Sequence, residues 1–166
     1  MISYASNNRP LNSVFLGLGT NLGYKKKNIE LAFDKIEEQI GNITSISALY
    51  LSKPQGFNSE NVFVNCAIHL QTTLSPIKLL SETQLIEKEM GRKDKSNTLA
   101  GYADRIIDID ILFYNDIIIN NSSTLIIPHP LIQERDFVLK PLSEIAPDLI
   151  HPIFNKSIEE LLNNIL

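Results

Sequence analysis

Arg105-Ile106-Ile107-Asp108-Ile109-Asp110-Ile111-Leu112 is the stretch on which the reading of this chain turns. Isoleucine dominates it, and β-branched side chains favour extended backbone because they pack well on a pleated surface. In a strand, neighbouring residues point to opposite faces and residues two apart share one. Ile107, Ile109 and Ile111 are therefore expected in a core. Asp108 and Asp110 stand together on the other face, their Cα atoms roughly 6.6 Å apart at ~3.3 Å per residue. The strand is expected over residues 106–114, followed by a turn at Asn115-Asp116 and a short extended piece at 117–119.

Outward from this strand the pattern is regular. Residues 92–103 form a polar loop, long for a connection in a compact domain, and loops of that length are usually functional or disordered. Before it, Ser75-Pro76 opens a helix, with Ser75 as N-cap and Pro76 at the first helical position. Leu79, Thr83, Ile86 and Met90 make one face of that helix, and Gly91 ends it. Strands are expected at 62–70 and 43–51, separated by a loop at 53–61 carrying Pro54 and Gly56. Ile29, Phe33, Ile36 and Ile40 recur at helical spacing ahead of Gly41. A first strand at 13–18 leads into Gly17-Leu18-Gly19-Thr20-Asn21-Leu22-Gly23, read as a tight strand-to-helix turn. Beyond residue 119 come short extended pieces, Pro128-His129-Pro130, and a last helix opened by the capping box Ser157-Ile158-Glu159-Glu160. The order β-α-β-β-α-β predicts an α+β, ferredoxin-like split β-α-β fold: a mainly antiparallel sheet with both helices packed on one face. Residues 1–12 read as a flexible N-terminal extension and 13–166 as a single domain.

A chain of 166 residues fits one domain, and at that size folding buries roughly 70% of the surface of the unfolded chain. Its 43% hydrophobic and 20% charged residues are ordinary for a globular protein. A net charge of −4 argues against a general nucleic-acid or anionic-membrane binder. No apolar run approaches the roughly 18 residues of a membrane span, so a cytoplasmic location is expected. Cys66, the one cysteine, lies in the apolar run 62–68 and reads as a small buried hydrophobe; a single thiol builds neither an internal disulfide nor a four-sulfur zinc site.

Two carboxylates side by side on an apolar strand repel each other and lose hydration. A divalent cation offsets that cost, and hard oxygen ligands suit Mg²⁺; the plainer alternative is a solvated polar face. Arg92, Lys93, Lys95 and Arg105 bracket the long loop and would suit a polyphosphate, the alternative being a solvated basic loop. The glycine stretch has one residue too many for a dinucleotide fingerprint, and no G-x-x-x-x-G-K-[ST] sequence is present. His69 and His151 read as structural. His129, held between two prolines, is expected to touch ligand. The three histidines are too scattered for a zinc site.

The segment Tyr102-Ala103-Asp104-Arg105-Ile106-Ile107-Asp108-Ile109-Asp110-Ile111-Leu112 resembles the signature of the 6-hydroxymethyl-7,8-dihydropterin pyrophosphokinases, enzymes of folate biosynthesis. In chain order, further segments resemble that family: Gly17 to Gly23, Phe63-Val64-Asn65, Gln84-Leu85-Ile86-Glu87, Gly91-Arg92, Pro128-His129, Arg135-Asp136-Phe137, and Pro141-Leu142-Ser143-Glu144-Ile145-Ala146-Pro147. The resemblance implies transfer of pyrophosphate from ATP to the pterin hydroxymethyl group, giving AMP. It implies two Mg²⁺ ions held by Asp108 and Asp110, with Arg92 and Arg105 also catalytic. Gln84, Glu87, Arg92, Arg105, His129 and Arg135 would contact the nucleotide. Ser52 and Pro54 would line the pterin pocket, Phe63 and Phe137 would stack on its two faces, and Asn65 would hydrogen-bond its edge. Tyr102 would belong to a lid. A monomer is expected, with ATP and a dihydropterin as partners and neither nucleic acid nor membrane. The chain differs from well-known members in a longer catalytic loop carrying Lys93 and Lys95, in Pro130 after His129, in Thr124, and in Phe63 where some have tyrosine. The competing enzyme is a nucleotidyltransferase with a ferredoxin-like palm, which would need a further acidic residue aligned with the Asp pair. A ligand-binding regulator would leave that pair without a purpose.

Overall fold

A computed structural model of the chain describes residues 9–55, 58–92, 103–121 and 123–166. In chain order the elements are β1 (Asn12–Thr20), α1 (Lys25–Gln39), β2 (Asn42–Ile46), β3 (Tyr50–Ser52), β4 (Phe63–Thr72), α2 (Pro76–Glu89) and β5 (Asp108–Tyr114). They are followed by β6 (Ile119–Asn121), β7 (Leu125–Ile127), α3 (Asp136–Ile145), β8 (Ile150–His151), β9 (Lys156–Ser157) and α4 (Ile158–Asn163). The main sheet runs β2-β4-β1-β5, with β3 also on β4, and every pairing is antiparallel. That is the expected ferredoxin-like arrangement: β4 inserts between β1 and β2, and β5 closes the other side of β1.

The two-residue alternation sorts the side chains. Val14, Leu16 and Leu18 of β1 and Ile109 and Ile111 of β5 pack with Ile107 against Ile29 and Ile36 of α1 and Leu79 and Ile86 of α2. Ser75 caps α2 by accepting the Lys78 N–H, and Ser157 with Glu160 makes the reciprocal capping box of α4, both as expected.

Three features depart from the expectation. β1 starts at Asn12, inside the stretch read as an extension, and runs through Gly17 and Gly19 to Thr20, so the turn occupies only the end of the glycine stretch. The strand expected at 43–51 is broken into β2 and β3 at Ser47, a buried residue whose hydroxyl accepts the Ala67 N–H at 2.9 Å and donates to the Ala48 carbonyl at 2.8 Å. α1 and α2 share one face of the sheet as expected; α3 and α4 lie on the other, where Leu139, Leu142, Ile158 and Leu161 meet Phe15, Ala67 and Phe113. α3 stands where no element was expected, and Pro141 lies within it. An interior proline costs a helix about 3 kcal/mol, whereas burying Leu139 and Leu142 returns about 1.5–3 kcal/mol each, so tertiary packing overrides the local preference. The part of this second face beside the N-terminus of α3 stays open, and it holds the candidate site.

Candidate active site

The floor of the open face is made of glycine. In the β1–β5 register Gly17 lies opposite Asp110 and Gly19 opposite Asp108, and directly paired residues share a face. Asp108 and Asp110 therefore stand beside two positions without side chains, and all four line one solvent-open cleft. A Cβ on Gly19 would lie 3.1 Å from Asn65 Oδ1, and one on Gly17 would lie 3.4 Å from the Leu112 side chain. Glycine within a strand marks this kind of close approach. Leu112 is the extra residue of a β-bulge, since Phe15 pairs with Phe113 and Leu16 with Ile111. The Leu112 carbonyl accepts the His129 N–H at 3.1 Å, which brings the His129 ring to the pair: its Nε2 lies 4.0 Å from Asp110 Oδ2.

Cations compensate Asp108 within the chain. Arg92 Nη1 lies 2.6 Å from Asp108 Oδ1, and Arg105 Nη1 lies 3.1 Å from Oδ2. Arg92 also pairs with Glu87, whose Oε1 accepts the Ile109 N–H at 2.8 Å. Glu87 is buried, so its carboxylate joins α2, β5 and Arg92. Burial disfavours the Arg92 charge, but Asp108, Glu87 and Asp110 outweigh it and hold the guanidinium above its ordinary value. Asp110 is the more open of the pair, its side chain 35% exposed against 22% for Asp108.

The opposite wall of the cleft carries Phe63, Asn65, Ser52, Arg135 and Phe137. Asn65 is buried, and its amide nitrogen donates to Ser52 Oγ at 2.8 Å and to the Tyr50 carbonyl at 3.3 Å. Arg105 projects over the Phe63 ring at 5.7 Å, and Arg135 over Phe137 at 5.6 Å. A second cavity adjoins the first. Gln84, Glu87, Thr124 and His129 line it together with Asp110, so Asp110 faces both.

Residues 15–147 match the family described as 7,8-dihydro-6-hydroxymethylpterin-pyrophosphokinase. The chain belongs to that family. The 2-amino-4-hydroxy-6-hydroxymethyldihydropteridine pyrophosphokinase of Aquifex aeolicus is 41% identical over 89% of this chain and 89% of its own length. The folic acid synthesis proteins of Dictyostelium discoideum and Pneumocystis carinii are 46% and 44% identical over 85% and 93% of this chain. The chain spans only 20% of the length of each of those two. Among solved structures, an HPPK-DHPS crystal structure from Plasmodium falciparum with pteroate superposes with TM-score 0.75 at 20% identity, covering 96% of this chain and 44% of that one. At that identity it supports the fold.

Within this pyrophosphokinase domain, most residues singled out in the sequence fall around the two cavities. Ser52, Phe63, Asn65, Phe137, Arg105, Asp108 and Asp110 share the first, and Gln84, Glu87, His129 and Asp110 share the second. Arg135, expected on the nucleotide, lines the aromatic cleft. Pro54 borders a separate recess with Asn58 and Val62. Tyr102, Lys93 and Lys95 lie outside the described residues. Lys53, Gln55 and Val138 line the cleft and carried no signal in the sequence; Gly17 and Gly19, read there as part of a turn, line it through a register that only the pairing of β1 with β5 sets. His69 and His151 are structural as expected: Ser13 and Thr44 hydroxyls bind the two His69 ring nitrogens, and His151 is buried against Phe113 and Phe154. Burial pushes the Cys66 thiol up to about 12, which leaves it inert at neutral pH. Among the described residues no group of three His, Cys, Asp or Glu could hold a metal ion. No helix of these residues is long and apolar enough to cross a membrane.

Proposed function

We propose that this chain transfers pyrophosphate from ATP to the hydroxymethyl group of 6-hydroxymethyl-7,8-dihydropterin, releasing AMP, in folate biosynthesis. The observation that carries the reading is that Asp110 lies at the junction of two cavities of different chemistry. One offers two aromatic rings and a buried amide, which suit a flat heterocycle with donors and acceptors on its edge. The other offers an amide, a hydroxyl, an imidazole and carboxylates beside arginines, which suit a nucleotide and its phosphates. A transfer reaction needs its two substrates to meet at such a junction.

These positions support a role for each residue. Phe63 and Phe137 hold the pterin, and Asn65, kept in orientation by Ser52 and the Tyr50 carbonyl, reads its edge. Gln84 and His129 serve the nucleotide side. Arg92 and Arg105 bring positive charge to the transferred group, and Glu87 fixes Arg92. The pterin hydroxyl oxygen attacks the β-phosphorus, the bond from that phosphorus to the oxygen leading to AMP breaks, and the hydroxyl proton is lost. No side chain is assigned as general base. Phosphoryl-type transfer depends mainly on positioning and charge neutralisation, and the arrangement supplies both.

Asp108 and Asp110 fit Mg²⁺ by donor chemistry: two hard carboxylates on one face over a glycine floor, with Asp110 open to both cavities. Bound there, two Mg²⁺ ions would neutralise phosphate charge and align the reacting oxygens. A monomeric, cytoplasmic enzyme goes with this reading, checked by sedimentation and cell fractionation. The decisive assay follows AMP by chromatography. AMP that forms only when both ATP and the pterin are present supports the reading; pyrophosphate release, or AMP without pterin, opposes it.

A further inference from the structure

Asn21, in the glycine-rich stretch after β1, lines neither cavity and is 1% exposed. Its amide nitrogen donates to Asp104 Oδ1 at 2.6 Å and to the Asn61 carbonyl at 3.3 Å, and its Oδ1 accepts the Arg105 N–H at 2.7 Å. Its own N–H donates to the Arg105 carbonyl at 3.2 Å. Asp104 is exposed, yet it collects donors from separate parts of the chain. Oδ2 accepts Asn61 Nδ2 at 2.8 Å, and the Ser59 Oγ on the same loop accepts the Asn61 N–H at 3.1 Å. Ser59, then Asn61, Asn21 and the charge of Arg105, hold the Asp104 carboxyl below its ordinary value in spite of some desolvation. Arg105 continues from this point. Its Nε donates to the Ala103 carbonyl at 3.0 Å, and its head reaches Asp108 and the face of Phe63.

An exposed aspartate with this many partners contributes nothing to the apolar core. What it joins is the loop before β4, the end of β1 and the residue whose guanidinium stands between the aromatic wall and the Asp pair. We infer that Asp104 is a positioning residue of the transfer reaction: it clasps the loop carrying Ser59 and Asn61 to the segment entering β5, and so fixes where Arg105 holds its charge. This rests on the role proposed above for Arg105. Asp104 touches no reacting atom; it acts by orienting the Asn21 amide, whose Oδ1 carries the Arg105 backbone. A donor in place of one Asp104 oxygen would face the nitrogens of Asn21 or Asn61 and turn the Asn21 amide away from Arg105.

Asp104→Asn keeps the size and removes one acceptor. Its kcat is expected to fall about tenfold with KM for ATP changed less than about twofold, since misplacement by a fraction of an ångström weakens transition-state contacts more than ground-state binding. On an Arg105→Ala background the same substitution should cause no further loss, because residues acting through one another are not additive. Independently of activity, the Arg105 amide proton should exchange about tenfold faster in Asp104→Asn by NMR, with Leu16 and Ile68 amides unchanged. Unchanged Arg105 exchange, or fully additive losses with Arg105→Ala, overturns the inference. Failure of the wild type to make AMP would instead strike at the proposed reaction, and the exchange measurement would still decide the clasp. If Asp104→Asn does not fold, Asn61→Ala removes one donor to Asp104 and should speed the same exchange about threefold; no change there overturns the clasp.

Discussion

Replacing Gly19 by alanine tests the glycine floor with a single methyl group. Gly19 lies in β1 opposite Asp108, and the added Cβ would sit 3.1 Å from Asn65 Oδ1 and 3.7 Å from Phe63 Cδ1. The second distance is an ordinary contact. The first is short by about 0.3–0.5 Å, and Asn65 has to give. Asn65 is not loose, because its Nδ2 is bound to Ser52 Oγ and the Tyr50 carbonyl. Hydrogen bonds of this kind are worth about 0.5–1.5 kcal/mol each, so partial loss of two amounts to about 1–2 kcal/mol. Expressed on pterin affinity, that is about a 5- to 30-fold loss. Global stability moves the other way, because alanine within a strand is favoured over glycine by about 0.5–1 kcal/mol. Net stability should therefore stay within about 1 kcal/mol of wild type by urea denaturation. Calorimetric titration with the pterin and an ATP analogue, each alone, separates the effects: pterin binding weakens and nucleotide binding holds. Wild-type pterin affinity in a folded Gly19→Ala protein, or equal loss for both ligands, would refute the placement of Asn65 and Gly19 in the pterin wall.

Other consequences follow from the same geometry. Asp110→Asn removes a charge from a side chain that is 35% exposed; turnover should fall at least about 100-fold, while thermal denaturation shifts by only a degree or two. Retained turnover would end the assignment of Asp110 to the reacting centre. Burial holds the His151 pKa below the ordinary 6.5. A histidine depressed in this way contributes stability that is whole above that value and is lost as pH falls from there towards its native pKa. The melting temperature of the wild type should therefore drop as pH falls below 6.5, and the drop should be shallower in His151→Gln, with His69, also depressed by burial, supplying part of the remainder. Cys66 should react with thiol reagents at neutral pH only after unfolding, since burial pushes its pKa to about 12; fast labelling of the native protein would contradict that burial.

The residues alone determined the β-α-β-β-α-β order, the α2 and α4 caps, the division of β5 into an isoleucine face and an aspartate face, and the residue types needed for metal, phosphate and flat-ring contacts. These are consequences of local periodicity and chemistry, which act over a few residues and can be read in one dimension. Only tertiary structure decided that Gly17 and Gly19 belong to a strand as the floor of the cleft, because their meaning depends on a register set by β5. Only packing kept α3 helical through Pro141, since the burial that outweighs the proline comes from the sheet. It also placed Arg135 with the aromatic wall and joined Asn21 to Asp104 and Arg105 across 83 and 84 positions of sequence. Contacts between residues so far apart depend on how the sheet brings chain ends and loops together, and no spacing along the chain encodes them.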